Sequence, residues 1–347
     1  MDGFVSETAG LASLLPDAPE FGAWLEAAPG VLWTRSPLPI SLGWINLYLL
    51  RDERGWTLVD AGLDTADARA AWESVFAALD GPIVRVICTH MHPDHIGLAG
   101  WIARRFDAPL WMTRLEYVTA RMLVADTGRA APEAGVAFYR RAGWEEAALS
   151  RYRERFGMFG RAVSPLPDSF QRLEGGAVLR IGGEPWRVVV GSGHSPEHAC
   201  LLRERDGVFV SGDQVLPRIS SNVSVFPTEP EADPLADWLQ SCARLIAATP
   251  ESARVMPAHN APFMGLHHRL RQLIASHERA LERLERFLAQ QPRTVLECFP
   301  VLFGREIGGG DLSLATGETL ANLNRLRAEG RARRAAGGDG VDRYSAA

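Results

Sequence analysis

The run "IVRVICTHMHPDHIG", residues 83–97, constrains this chain more than any other. Its first half is apolar and β-branched, which reads as a buried strand. Its second half sets His90, His92, Asp94 and His95 within one short loop. A strand running straight into such a loop gives the side chains a rigid base, and ligands that must meet at one point need one. Neutral imidazoles and carboxylates suit zinc and similar divalent metals. Adjacent ligands on one loop cannot all surround a single tetrahedral ion without strain. Two ions a few ångströms apart use them better, with His90 and His92 on one and Asp94 and His95 on the other.

Each ion then needs further ligands, at strand ends on the same edge. His194 follows "WRVVVGSG", Asp213 follows "GVFVSG" and His259 follows "ARVMPA". His198, close behind His194, reads as a group that hydrogen-bonds a ligand or the substrate. His267, His268 and His277 fall on an amphipathic stretch and read as solvated or packed. Ser192 and Ser195 read as turn residues, and Cys88 as a packing residue on the strand side of the loop.

The surrounding pattern is that of an α/β protein. "GVLWTR" (30–35), "NLYLL" (46–50) and "GWTLVDAGL" (55–63) read as strands, with a turn at "RDERG". A helix is expected over 65–80, with Thr65 at its start. Residues 112–165 read as a helical insert. Strand signals return at "AVLRI", "WRVVVGS", "ACLLRERDGVFVSGD" and "ARVMPAH". The tail differs: "LHHRLRQLIASHERALERLERFLAQ" is a long amphipathic helix, and "SLATGETLANLNRLRAEG" a second, with Gly330 as its cap. Two short runs about "GGDG" close the chain as a hairpin. Helices followed by a hairpin resemble a winged helix. The division expected is a catalytic domain over 1–265 and a helical, winged-helix-like domain over 266–347.

Composition narrows the function. The formal net charge is −5, against a general nucleic-acid coat. Arginine supplies all 37 basic residues, so Schiff-base and Ser–Lys chemistry are excluded. Cys88, Cys200, Cys242 and Cys298 have neither metal-knuckle nor disulfide-framework spacing, which suggests a reduced interior. No secretory signal and no membrane-length apolar run is visible, so the expectation is a cytoplasmic protein with no membrane partner.

His-x-His-x-Asp-His, then Gly-His-Ser-Pro, Ser-Gly-Asp and Pro-x-His in order, resemble the metallo-β-lactamase superfamily over roughly residues 30–265. The resemblance implies an αββα sandwich with two metal ions on one edge, two Zn2+ or else Fe or Mn. It assigns His90, His92 and His194 to one ion and Asp94, His95 and His259 to the other, with Asp213 bridging. Asp60 matches the acidic position that buttresses the loop. Glu197 and Asn260 depart from the family's usual glycines without removing a ligand. His92 stands where flavin-linked members carry Glu, which favours hydrolysis. The implied reaction is attack by a bridging water, with Asp94 or Asp213 orienting it and shuttling a proton.

The substrate must come from the flanks. The insert carries more arginine than acid, together with Met112, Met122, Phe156, Met158 and Phe159, as an apolar, positive lid would. The segment after Asp213 offers Arg218 to clamp an anion, with Ser221 and Asn222 as hydrogen-bonding neighbours. A small anionic thioester of acyl-CoA or acylglutathione type is the first expectation. The alternatives are RNA phosphodiester cleavage, lactone hydrolysis and a mononuclear iron sulfur dioxygenase. The tail is similar to appendages of hydroxyacylglutathione-hydrolase-like and β-lactamase-like endoribonuclease-like members. Its Arg325, Arg327, Arg331, Arg333 and Arg334 invite a nucleic acid, although such appendages also form homodimers or close the pocket.

Overall fold

The computed structural model describes residues 10–347. The first half runs β1 (Ala12–Ser13), β2 (Trp24–Ala28), β3 (Val31–Pro37), β4 (Trp44–Asp52), β5 (Gly55–Val59), α1 (Ala66–Ala78), β6 (Ile83–Ile87), α2 (Pro93–Ile96), α3 (Ala99–Phe106) and β7 (Leu110–Thr113). Three insert helices follow, α4 (Arg114–Ala125), α5 (Glu133–Arg141) and α6 (Glu146–Arg155). The second half runs β8 (Gln171–Leu173), β9 (Val178–Ile181), β10 (Glu184–Gly191), β11 (His198–Arg203), β12 (Val208–Gly212), α7 (Pro234–Ala248), β13 (Arg254–Pro257) and β14 (Phe263–Met264). The tail holds α8 (Leu266–Leu288), α9 (Phe299–Phe303), α10 (Leu312–Ala328), β15 (Ala332–Ala336) and β16 (Asp342–Ala346).

One sheet is ordered β2-β3-β4-β5-β6-β7-β8 and the other β1-β14-β13-β12-β11-β10-β9. In each, an antiparallel meander meets parallel pairing: β5 beside β6 in the first, β12 beside β13 in the second. The C-terminal ends of these parallel strands therefore share one edge.

Side-chain alternation builds the layers. Along β4, Tyr48 and Leu50 enter the core between the sheets, with Trp33, Trp186, Leu201 and Val210. Ile45, Leu47 and Leu49 face the opposite way, onto Trp72 and Val75 of α1 and Ile102 of α3. This two-faced burial explains the unbroken apolar run of the strand. Thr65 caps α1, its side chain accepting the Ala68 N–H. The third core covers the second sheet's outer face and holds Trp238 of α7, Leu270 and Leu281 of α8, Leu323 of α10 and Tyr344 of β16. Val136, Tyr139 and Trp144 of the insert join the same core. Apolar packing is thus continuous across residue 265.

Three differences from the sequence reading have physical causes. Met112 and Thr113 finish β7 rather than opening the helical insert, and Met112 is fully buried. β2 and β8 carry weak strand patterns and form at sheet edges, completed by pairing with β3 and β7. α7 escapes notice although Asp233 accepts the Ala236 N–H and Pro234 opens the helix, which is an ordinary start signal. At the chain's end, Gly330 has φ +70 and follows α10 as a left-handed terminator.

Candidate metal centre

The shared edge gathers seven side chains from four places in the chain. His90, His92, Asp94 and His95 lie on the loop after β6, His194 after β10, Asp213 after β12 and His259 after β13. Three groups of ligand atoms have all their members within 4.8 Å of one another: His90 with His92 and His194, His90 with His95 and Asp213, and Asp94 with His95 and His259. His90 Nε2 is 2.8 Å from His92 Nδ1 and 3.2 Å from His194 Nε2. Asp213 stands between the clusters, with Oδ2 3.5 Å from His194 and 3.6 Å from His95, and Oδ1 3.6 Å from His259. Asp94 Oδ2 is 3.4 Å from His259 Nε2.

Protonation suits cation binding. Burial, with the neighbouring imidazoles, holds His90 well below the usual histidine range. Burial and His194 take His92 down to about 3. Burial alone would raise Asp213, but His259, His95 and His194 hold it well below the usual carboxylate range. His95 and His259 differ. Despite burial, the carboxylates of Asp60, Asp94 and Asp213 raise the first, and those of Asp213 and Asp94 the second. A divalent cation there would displace their protons, while His90 and His92 already offer neutral imidazoles. Two buried atoms of these groups, His95 Nε2 and Asp213 Oδ1, have no hydrogen-bond partner among the described residues. Orphaned buried polar atoms are costly unless something else meets them, and convergent ones fit a cation.

The outer contacts account for the aim of each ring. Asp60 has φ +62 and accepts the Thr89 N–H through Oδ1, while its Oδ2 lies 2.8 Å from His95 Nδ1. Through these two contacts that strained residue braces the loop. His198 is fully buried; its Nε2 accepts the Asp213 N–H at 3.1 Å and its ring stacks on His90. Gly212 is needed there, because a Cβ would lie 2.6 Å from the His198 ring. Asn260 takes the left-handed φ of +65, which asparagine tolerates where glycine is usual. Its carbonyl, with that of Pro257, accepts from the Asn46 amide. Glu197 accepts the Leu115 N–H and so ties the His194 loop to α4.

The structure reassigns part of the expected substrate group. The Ser221 hydroxyl donates to the Asp213 carbonyl and is buried. The Asn222 side chain is held between Ser224 and Glu318, and its carbonyl lies 2.8 Å from His194 Nδ1. Both residues therefore brace the centre rather than face a ligand. Arg218 is exposed. The carbonyls on either side of it, Leu216 and Ile219, are held by buried Arg269 of α8. His267 bonds Thr249, His268 bonds Gln272, and His277 is buried in α8, so all three stand apart from the centre.

Sequence reasoning missed Glu116. It is fully buried on α4 and accepts from Met91 N–H, Ser195 Oγ and Glu197 N–H. One carboxylate thereby joins the two histidine loops. The only sequence signal is an acid on the inner face of an otherwise amphipathic helix. Ser195, expected as a turn residue, is its partner. Cys88 is buried and free.

Two seven-stranded sheets between helical layers, with seven side chains on one edge that could hold metal, define a metal-dependent hydrolase of the αββα sandwich type. The chain belongs to the metallo-beta-lactamase superfamily, whose model matches residues 43–259. A second model, the metallo-beta-lactamase-like C-terminal domain, matches 281–347. A solved beta-lactamase domain protein from Burkholderia ambifaria is 41% identical, covering 98% of this chain and 99% of its own, at a TM-score of 0.89. The probable metallo-hydrolase YqjP of Bacillus subtilis is 26% identical over 86% of this chain and 92% of its own. An atrochrysone carboxyl ACP thioesterase of Aspergillus fumigatus is 24% identical over 85% of this chain and 79% of its own.

Proposed function

We propose that this metallo-hydrolase cleaves a thioester, or a related carboxylic ester, of a small anionic substrate of acyl-CoA or acylglutathione type. His90, His92 and His194 would hold one ion and Asp94, His95 and His259 the other, with Asp213 shared and zinc the first choice of metal. The observation that carries the two-ion reading is the position of Asp213, within 3.6 Å of His194, His95 and His259, beside two buried atoms without hydrogen-bond partners among the described residues. When bound, such ions polarise a carbonyl oxygen and lower the pKa of a water. Asp94 and Asp213 would orient that water and take its proton. Asp60, Glu116 and His198 keep the surrounding groups in place.

Three features favour a thioester. The Aspergillus fumigatus relative is named as a thioesterase. Leu115, Val118, Met122 and Met158 of the insert are exposed, which suits an apolar acyl group. Arg218 is exposed and makes no ion pair among the described residues, which leaves it available to an anion. RNA cleavage is disfavoured by the tail's charge pairing. Arg325 pairs with Asp233 and Glu329, Arg327 with Glu231, Arg331 with Glu285 and Glu329, and Arg334 with Glu231. Of the five, only Arg333 has no such partner among the described residues, so little free positive charge faces a phosphate backbone.

The test is a hydrolysis panel of thioesters, lactones, β-lactams and single-stranded RNA, on protein whose metal content has been measured. Thioester turnover with two ions per chain and weak salt dependence is expected. Cleavage of RNA with a steep salt dependence and no thioester turnover would overturn the substrate. One iron per chain would overturn the two-ion reading.

A further inference from the structure

We propose that Glu318, on the tail helix α10, is a positioning residue for the metal centre: it fixes the Asn222 side chain and, through the Asn222 carbonyl, the tautomer and aim of His194. The proposal rests on the two-ion reading above.

Four of the centre's imidazoles have their Nδ1 held by an outer partner. His90 meets Thr89 Oγ1 at 3.1 Å, His95 meets Asp60, His259 meets the Trp44 carbonyl at 3.2 Å, and His194 meets the Asn222 carbonyl at 2.8 Å. Trp44 begins β4, Asp60 directly follows β5, and Thr89 is held by Asp60 just beyond β6. The first sheet thus anchors three of the partners. Asn222 has no such anchor, because neither strand nor helix forms between β12 and α7. Its support must come from elsewhere, and α10 supplies it.

Asn222 Nδ2 donates to Glu318 Oε2 at 3.2 Å, while its Oδ1 accepts from Ser224. With both ends of the amide engaged, the side chain has one orientation. Val225 N–H donates to the Gly317 carbonyl at 3.0 Å. A Cβ on Gly317 would lie 2.8 Å from the Ser224 side chain, so α10 is seated directly against this segment. Further along, Asn324 donates to the Pro230 and Ala232 carbonyls. No ion pair reaches Glu318 among the described residues, although burial lifts its carboxyl to about 7. A half-buried acid without a cation is costly, and its one bond is to the residue that holds His194.

The experiment uses the full-length chain, stripped of metal and refilled with cobalt(II). Wild type, Glu318→Ala, Glu318→Gln, Asn222→Ala and the double alanine variant are compared by cobalt affinity against a competing chelator and by visible absorption. Glu318→Ala should weaken binding of one ion about 10- to 100-fold and shift the cobalt bands, as loss of an outer partner does. Glu318→Gln, which can still accept from Asn222, should recover most of that loss. Asn222→Ala should match Glu318→Ala, with the double variant no worse than either single one. Unchanged cobalt affinity and spectrum in Glu318→Ala, or a Glu318→Gln as impaired as the alanine variant, overturns the proposal. A wild type that binds fewer than two ions overturns the two-ion reading instead.

Discussion

At the scale of single residues, the centre is set by groups that never touch a metal. Glu116 is the clearest case. Burial raises its carboxyl, yet three donors converge on it from the two histidine loops. Glu116→Ala leaves those donors buried and unpaired, at about 1–3 kcal/mol each. We expect a drop in unfolding free energy by urea denaturation, with weakened metal retention on dialysis; a variant that keeps both would show the link to be idle. Arg218 belongs at this scale too. Arg218→Ala should raise KM about 10-fold or more for anionic substrates and leave neutral esters little changed, an effect of roughly 1.4 kcal/mol or more. Equal effects on both substrates would remove it as an anion clamp. The seven clustered side chains were legible in the sequence, because ligands at successive strand ends leave a spaced pattern. Glu116 was not, because a single acid on a helix has no pattern. Ser221 and Asn222 were misread for a related reason: composition shows that a residue can hydrogen-bond, while the fold decides to what.

Among elements, α8 shows how periodicity and burial carry separate information. Its apolar stripe marks the helix in the sequence, with Leu270, Leu273, Leu281, Leu284 and Leu288 buried. The stripe does not reveal that His277 and Arg269 are also drawn inside. Burial takes His277 down to about 4. The unfolded chain then binds a proton near pH 6.5 that the native state refuses until about pH 4. Stability should therefore be full above pH 6.5 and fall as the pH drops, by on the order of 3 kcal/mol for this group. Urea denaturation of metal-free protein at pH 7 and pH 5, against His277→Leu, checks the sign. Parallel losses in the two proteins would mean that His277 contributes nothing. β2 and β8 show the converse. Edge strands form by pairing with a neighbour already in place, so their own residues announce little.

For the whole molecule, the third core decides how far the tail is separable. Residues of the insert, the second sheet, α7, α8 and α10 share it, and the tail hairpin's Tyr344 is fully buried there. A chain cut after Gly265 would expose the faces of α7 and the second sheet that the tail covers. Each fully uncovered large apolar side chain forfeits about 1.5–3 kcal/mol, against a typical total of about 5–15 kcal/mol. We expect a single calorimetric transition for the full chain and no cooperative transition for residues 1–265. A sharp transition in the shortened protein would show an independent first domain. No helix among the described residues is long and apolar enough to cross a membrane. The sequence by itself determined the strand–loop rhythm and the side chains that gather at one edge, because alternation and strand-end spacing are local and leave a periodic trace. Only the tertiary structure decided which outer groups hold those side chains. Glu116, Asn222 and Glu318 meet their partners across long stretches of chain, and such contacts depend on how layers pack rather than on any neighbouring residue.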